Sequence, residues 1–543
     1  MYKIAILSIF SFSFVFNNLA QNFKVTQPTF KKDTFNIVKY GAVADGVTLN
    51  SKAIQAAIDA CSKKGGGVVL VPGGFWSTGP IELKSNVNLH IKRDAVLQFT
   101  DDFNEYKLIQ TNWEGLDAYR NQSPLSATNA VNIAVTGNGI VDGNGDAWRM
   151  VKKDKLTSSQ WKNKVASGGV VGADGKTWYP SASSVKGNSI KNAGVIAKGE
   201  TLDSVKNYKD FFRPNLLVFA KCKNVLLDGV TFQNSPAWNI HPLMCENLTV
   251  RNVYAKNPWY AQNGDGIDIE SCKNFLIENS TFDVGDDGIC IKSGRDAEGR
   301  KRAMPTENGI IKNCIVYHAH GGFVIGSEMS GGAKNLYVSN CTFVGTDIGL
   351  RFKTTRGRGG VVEKIYVNNI RMKDIAGEAI LFDMYYAAKD PVPLAGEKRE
   401  LPKVEFKPVD ETTPVFKDFY VKDVVCNGAE KAIFIRGIPE MHIKNINLEN
   451  MTLQAKVGVD IQEATGINIK NVNIISKENN PLLYVLNSDG VVFDKILYKA
   501  VEVLVQVEGD RSGNVVVKNT DTKKAKKVKE VGFGAKEENI IIK

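Results

Sequence analysis

The sequence predicts an all-β solenoid, a stack of coils built from short parallel strands and capped at its N-terminal end by one helix. Two observations carry this. First, a unit of Asn followed by alternating apolar residues keeps returning: Asn86-Val-Asn-Leu-His, Asn224-Val-Leu-Leu-Asp, Asn247-Leu-Thr-Val-Arg, Asn274-Phe-Leu-Ile-Glu and Asn335-Leu-Tyr-Val-Ser, then Met441-His-Ile-Lys and Ile467-Asn-Ile-Lys. It steps by 23 residues from Asn224 to Asn247, by 27 to Asn274, and by 26 from Met441 to Ile467. A period in the twenties with turn residues between short segments marks a stack of coils. Second, the apolar alternation has a period of two, which belongs to strands and not to helical repeats.

The elements follow in order. Residues 1–20 read as a signal peptide: Lys3, an apolar run from Ile4 to Phe16, and a cleavage site at Asn18-Leu19-Ala20 before Gln21. The apolar run is too short to span a bilayer, and no later segment is long enough for a transmembrane helix. Residues 21–543 read as a single catalytic β-helix domain. Ser51 to Ser62 is the cap helix, with Ile54, Ala57, Ile58 and Cys61 on one face. Gly65-Gly66-Gly67 ends it, Val68 to Val71 forms a strand, and Pro72-Gly-Gly turns the chain out. Coils then run from residue 86, interrupted at 149–215 and 387–416, which read as loops walling a groove.

Composition narrows the function. The formal charge of +11 falls to +10 without Lys3, a balance that steers an exported protein toward a polyanion such as an acidic polysaccharide. No nucleic-acid module signature is present, and Lys523, Lys524, Lys526, Lys527 and Lys529 read as a solvated face. The eight cysteines include Cys222-Lys-Asn, Cys245-Glu-Asn and Cys272-Lys-Asn at one place in successive repeats. Equivalent positions stack, so buried free thiols are expected and not a disulfide framework.

The chemistry is concentrated further along. Asn263-Gly-Asp265 is followed 21 residues after Asp265 by Asp286-Asp287, near one coil, so the three carboxylates are expected side by side. Crowded carboxylates repel, which raises at least one pKa and lets one act as acid while a neighbour acts as base. His320 lies 33 residues past Asp287, and Arg351 lies 31 past His320. These spacings place His320, Arg351 and Lys353 on the same groove face. Arg351 and Lys353 sit two apart on a strand, so both point one way, as suits a substrate bearing its own carboxylate. Asp268 reads as structural. His318 and His320 lack a third ligand, and no metal or other cofactor is expected.

The ordered set Asn263-Gly264-Asp265, Gly285-Asp286-Asp287, Ala319-His320-Gly321 and Arg351-Phe352-Lys353 resembles glycoside hydrolase family 28, the polygalacturonases. Their motifs are Asn-Thr-Asp, Gly-Asp-Asp, Gly-His-Gly and Arg-Ile-Lys in that order. The resemblance runs from Tyr40-Gly-Ala to about residue 480 and departs at Gly264, Ala319 and Phe352, none of which removes a reactive group. It implies a right-handed parallel β-helix of the pectin lyase-like kind and hydrolysis of α-1,4-linked galacturonic acid residues with inversion. Asp286 is then the general acid, Asp265 and Asp287 hold and activate water, and His320 supports the acid's protonation state or binds substrate. Arg351, Lys353 and Tyr385, with Tyr386 as the alternative tyrosine, bind galacturonate. Inversion implies acid and base carboxyls roughly 6.5–9.5 Å apart.

Gly326-Ser-Glu328-Met-Ser-Gly-Gly and Arg356-Gly-Arg-Gly-Gly resemble bacterial members, and with the 149–215 insertion they favour exo action. Trp238, His241, Trp259 and Tyr260 are candidates to line a subsite. The expected setting is secreted or periplasmic, the partner a pectic polysaccharide or oligogalacturonide, and the protein a monomer. The alternatives are a pectate lyase, which needs a calcium cage and an Arg base, and a non-catalytic carbohydrate-binding β-helix, which needs no cluster of aspartates.

Overall fold

The computed structural model describes residues 24–197, 200–387 and 405–543. The expected signal peptide and residues 388–404 of the second insertion lie outside the described residues. The chain forms two compact units. An N-terminal unit comprises Thr26–Cys272 and Ser280–Asp287; a C-terminal unit is built chiefly from Lys273–Asn279 and Gly288–Lys543. Each is a parallel β-helix, wound with the right-handed crossovers that twisted strands require.

In the N-terminal unit each coil contributes to three parallel ladders. One runs through Leu125–Thr128, Leu217–Ala220, Ile240–Leu243 and Ile267–Glu270. A second runs through Gly67–Val71, Val87–Ile91, Val131–Gly137, Lys223–Asp228 and Glu246–Arg251. The third includes Ala95–Phe99, Ile140–Asp142, Thr231–Gln233, Tyr254–Lys256 and Thr281–Asp283. Inward residues alternate with outward ones, so Val225 stacks on Leu248 and Leu227 on Val250, all buried. The cap helix, Ser51–Lys63, buries the expected Ile54, Ala57, Ile58 and Cys61.

The C-terminal unit repeats the scheme. Ile289–Lys292, Gly321–Ile325, Ile348–Lys353, Glu378–Asp383 and Lys431–Arg436 form one ladder. Strands as long as Val361–Lys373, Val415–Asn427 and Ile443–Ala455 form another. Aromatic rings fill its centre: Phe352 lies 4.6 Å from Phe382 and 4.9 Å from Phe419.

The corners of the coils are made by asparagines. Asn86, Asn132, Asn224 and Asn247 all have positive φ, between 53° and 65°, a region that costs most side chains energy and that Asn tolerates best after Gly. Stacking then joins their amides. Asn132 donates to Asn86 at 3.2 Å, Asn224 to Asn132 at 3.0 Å and Asn247 to Asn224 at 3.0 Å. The C-terminal unit has its own rows, including Asn274, Asn308 and Asn335. All eight cysteines are free and buried, with the Cys245 amide donating to Cys272 Sγ at 3.3 Å.

The first insertion differs from expectation. Segment 149–215 is not a set of loops but a folded subdomain. It holds an antiparallel sheet of Val151–Lys152, Thr177–Tyr179 and Val170–Val171 and the helices Ser158–Ala166, Ala182–Asn188 and Leu202–Val205. Ala193, Val205, Tyr208 and Phe212 form an apolar cluster in it, against which Leu108 and Tyr119 from outside the segment also pack. An antiparallel hairpin, Leu108–Trp113 with Leu116–Asn121, was also unanticipated.

Replacing Asn224 with Ala forces a Cβ-bearing residue without a compensating amide into the left-handed region and removes two amide hydrogen bonds. We expect a loss of roughly 2–3 kcal/mol, read from the urea unfolding midpoint. Asn224→Gly keeps the backbone conformation and is expected to lose about half as much.

Candidate active site

The structure brings the three aspartates together within the N-terminal unit. Asp265, Asp286 and Asp287 each offer an oxygen within 4.8 Å of the others. Asp265 and Asp287 are buried, at 3 % and 1 % exposure, while Asp286 is half-buried. The adjacency is a product of coil register. Gly266 N donates to Asp287 O at 2.9 Å, and Asn239 N donates to Asp265 O at 3.0 Å, so three successive coils are tied at this level. The Asp287 amide also donates to Asp286 Oδ1 at 2.9 Å.

Two glycines permit the turn. A Cβ on Gly264 would lie 2.7 Å from both Cβ and O of Ala261, and one on Gly285 would lie 2.6 Å from Pro258 O. The Gly264 that departs from the Asn-Thr-Asp pattern is therefore matched to a close approach of its own 261 neighbour. The facing oxygens of the three carboxylates are held within about one strand spacing of one another. Stacked coils impose this, because neighbouring strands lie about 4.8 Å apart. The same three oxygens are near enough to share one divalent cation, whereas acid–base hydrolysis needs none.

Sequence reasoning missed a group of arginines, the half-buried Arg213 beside the trio and the buried Arg120 and Arg149. Arg213 donates to Gln262 O at 2.6 Å, Pro236 O at 3.1 Å and Asn263 Oδ1 at 2.8 Å, which anchors the segment leading into Asp265. Burial and the nearby Arg149 push its pKa down to about 10, against the pull of Glu114 and Asp286. Arg120 donates to Arg213 O at 2.6 Å and lies 3.6 Å from the Trp113 ring. The signal available was Arg213-Pro214, placed where the insertion rejoins the coils. Of the aromatic candidates, Trp259 and Tyr260 are exposed at 66 % and 50 %, and Lys155 Nζ sits 5.8 Å from the Trp259 ring. Trp238 and His241 are interior instead. Trp238 stacks on Trp113 at 5.6 Å, and His241 Nε2 lies 2.9 Å from Glu270. The hairpin covers this face, which a reading of the coils alone left open.

The remaining candidates lie in the C-terminal unit. His320 precedes the strand Gly321–Ile325; its ring Nε2 is 3.7 Å from Asp347 and its carbonyl accepts from Arg351 Nη1 at 3.3 Å. Arg351 and Lys353 project from Ile348–Lys353 toward one ring. Tyr386 lies 4.9 Å from Lys353 Nζ and 5.9 Å from the Arg351 guanidinium. Tyr385, the first choice from sequence, is buried between Arg356 and Arg436, at 5.7 and 5.3 Å. Burial pushes its hydroxyl up to about 12. Of the two tyrosines, it is Tyr386 whose ring lies beside Arg351 and Lys353.

The profile of the glycosyl hydrolases family 28 matches residues 151–423. The chain belongs to this family. A second profile, rhamnogalacturonase A/epimerase, pectate lyase-like, matches residues 34–195 of this family 28 protein. Among its relatives is an exo-poly-alpha-D-galacturonosidase of Dickeya chrysanthemi, 30 % identical over 77 % of this chain and 66 % of that protein. A probable polygalacturonase of Vitis vinifera is 28 % identical over 77 % of this chain and 74 % of that one. Among solved structures, an exopolygalacturonase from Thermotoga maritima superposes with a TM-score of 0.67 at 31 % identity, covering 85 % of this chain and 95 % of that one.

One further buried acid stands out in this family 28 chain. Glu328 accepts from Lys292 Nζ at 3.0 Å and Ser327 Oγ at 3.0 Å, with Arg358 at 3.8 Å. Burial resists its ionisation, but Lys292 and Arg358, helped by Lys353, outweigh it and bring the pKa from 4.5 down to about 2. A depressed acid stabilises the fold above its unfolded pKa, and that stability is lost as pH falls through the folded value. Glu328→Gln is therefore expected to be less stable than wild type at pH 7 by about 3 kcal/mol. The gap should close between pH 4.5 and 2, as followed by thermal melts across that range.

Proposed function

We propose that this protein hydrolyses α-1,4-linked galacturonic acid residues of pectic polysaccharide, acting from a chain end with inversion. The observation that carries the proposal is the cluster of Asp265, Asp286 and Asp287 on adjacent coils. A proton held by the cluster relieves the repulsion among three carboxylates and is available for transfer. Asp286, the most accessible of the three, gives it to the glycosidic oxygen as the bond to the anomeric carbon breaks. Asp265 and Asp287 hold a water, take its proton, and direct its oxygen to that carbon. His320 supports the acid's protonation or binds substrate. Arg351 and Lys353, with Tyr386 in preference to Tyr385, receive the substrate carboxylate. The names of the Dickeya and Thermotoga relatives support exo action, as does the folded insertion, whose aromatic and Lys residues suit a terminal uronate.

The spacing of the facing oxygens, within 4.8 Å, does not by itself separate inversion from retention through a glycosyl-aspartate, in which acid and nucleophile carboxyls stand about 5–5.5 Å apart. The inverting reading is kept because two buried carboxylates beside the acid are what a clamped water needs. We further propose export to the periplasm or medium on the signal peptide of residues 1–20, with action as a monomer on cell-wall pectin. Among the described residues no helix is long and apolar enough to cross a membrane.

Product profiling tests the assignment. Early products from polygalacturonate are expected to be dominated by monogalacturonate, free of the ultraviolet-absorbing unsaturated sugar that a lyase leaves. The first-formed anomer, seen by NMR, is expected to be β; an α product selects retention. Asp286→Asn is expected to lower turnover by at least 10²–10⁴ with the fold kept. Near-normal turnover contradicts its role.

Lys353→Met is expected to raise KM for galacturonate chains and to reduce discrimination between free and methyl-esterified substrate. Unchanged selectivity rejects the carboxylate pairing.

A further inference from the structure

Positive charge is concentrated in one part of the chain. Segment 149–215 holds thirteen basic and five acidic residues, a net of +8 against +11 for the whole chain. The imbalance is greatest near its start. Lys152, Lys153, Lys155, Lys162 and Lys164 stand against Asp154 alone before Asp174 is reached. Folding adds to the crowding, because the Lys153 amide donates to Lys176 O at 2.8 Å and brings a sixth lysine alongside.

The lysine run near the C-terminus is matched by its own surroundings. Lys526 meets Glu502 at 2.7 Å, Lys527 meets Glu530 at 3.4 Å and Lys529 meets Glu537 at 3.0 Å. In segment 149–215 the ion pairs fall instead to Arg149 with Asp146 and Lys206 with Asp203. Lys152, Lys153, Lys155 and Lys162 are all exposed, and among the described residues no carboxylate pairs with them. Like charges held together repel, and a polyanion laid across them relieves that repulsion.

These lysines meet aromatic rings. Lys153 Nζ lies 6.0 Å from the Trp161 ring, and Lys155 Nζ lies 5.8 Å from the Trp259 ring. Helix Ser158–Ala166, which carries Trp161 and Lys162, buries none of its residues, so core packing does not account for it. Trp259 is 66 % exposed, and Tyr260 beside it is 50 % exposed. Large rings displayed next to unmatched cations suit a partner that is anionic and also has apolar faces. A chain of pyranuronates has both, a carboxylate on every unit and a C–H face on every ring. The residues lie in the open and not in an enclosure, so they fit the body of such a chain and not its end.

We propose that Lys152, Lys153, Lys155 and Lys162, with Trp161 and Trp259, form an auxiliary surface that holds a non-terminal stretch of a polyuronate. The lysines take carboxylates, and the indole of Trp259 packs on a sugar ring. The proposal rests on the pectic-substrate reading for the identity of the chain. The surface carries out no chemistry; it keeps the enzyme on the polymer between cleavages.

Binding is measured by interferometry on immobilised polygalacturonate, using the full chain with Asp286→Asn so that the polymer is not consumed. Fully methyl-esterified polygalacturonate supplies rings without charge, and polyglutamate supplies charge without rings. Polygalacturonate is expected to bind about 10-fold more tightly than either, and more weakly as salt is raised. The triple variant Lys153→Gln/Lys155→Gln/Lys162→Gln is expected to weaken polygalacturonate about 10-fold, and Trp259→Ala to weaken it about 5-fold. In the otherwise wild-type enzyme the triple variant should raise KM on polygalacturonate and leave kcat/KM on digalacturonate unchanged. Unaltered polymer binding by the triple variant, confirmed folded by its thermal melt, overturns the proposal. An equal rise in KM on polymer and digalacturonate also overturns it, because the lysines then serve the chain end. Equal binding of polyglutamate, unaffected by Trp259→Ala, overturns it in favour of a general polyanion surface. A wild-type enzyme that hydrolyses no pectic substrate overturns the proposed function instead, and the binding measurements then decide the surface by themselves.

Discussion

Every coil of each unit turns at a residue held in the left-handed region, and the turn is repeated at the same place in the next coil. An asparagine there meets two demands at once: it tolerates the backbone, and its amide reaches the amide above and below. Because corners must stack on corners, the strands between them are held in one register. That register sets which side chains become neighbours. Asp265 meets Asp287 because the intervening chain completes one turn and returns, not because any local motif draws them together. The tight carboxylate cluster is thus a consequence of coil stacking as much as of the residues themselves.

Much of this was legible because it is local or periodic. Alternation of apolar residues, the recurring Asn and the 21-residue step between aspartates need no knowledge of distant contacts, and the cap helix declared its buried face through Ile54, Ala57, Ile58 and Cys61. What could not be read depended on tertiary context. The helices of segment 149–215 are short, and their stability comes from Val205, Tyr208 and Phe212 packing together, which no period announces. Trp238 and His241 sit beside the catalytic motifs in sequence, yet Trp113 from the hairpin covers Trp238. Of the two candidate tyrosines, Tyr385 packs between Arg356 and Arg436 while Tyr386 meets Lys353, a difference set by packing that no period announces.

Arginines are held in two ways, by carboxylates, as with Arg149 on Asp146 and Arg251 on Asp228 in the N-terminal unit, or by carbonyl oxygens. In the C-terminal unit Arg356 grips Glu440 through two nitrogens, Arg511 does the same to Glu463, and Arg436 bonds Asp383. Such forked pairs order the surface while cancelling its field. In the N-terminal unit Arg213 meets carbonyl oxygens, and Arg120 meets a carbonyl and an aromatic face. Carbonyl dipoles orient a guanidinium without neutralising it, so positive potential persists beside the carboxylates. A polyanionic substrate and an acidic cluster have conflicting needs, and a cation held near the cluster, as Arg213 is near Asp286, offsets their repulsion.

The thiol row has a consequence for biogenesis. The contact with Cys245, together with burial, raises the pKa of the Cys222 thiol, and burial raises that of Cys245, so both resist ionisation, and the thiolate is the form that oxidises or exchanges. These sulfurs act as spacers of the interior, not as crosslinks. The protein therefore reaches the same structure in reducing and in oxidising surroundings, with no call on a thiol oxidase or isomerase. Recombinant production in an ordinary bacterial cytoplasm is accordingly as suitable as production by an export route.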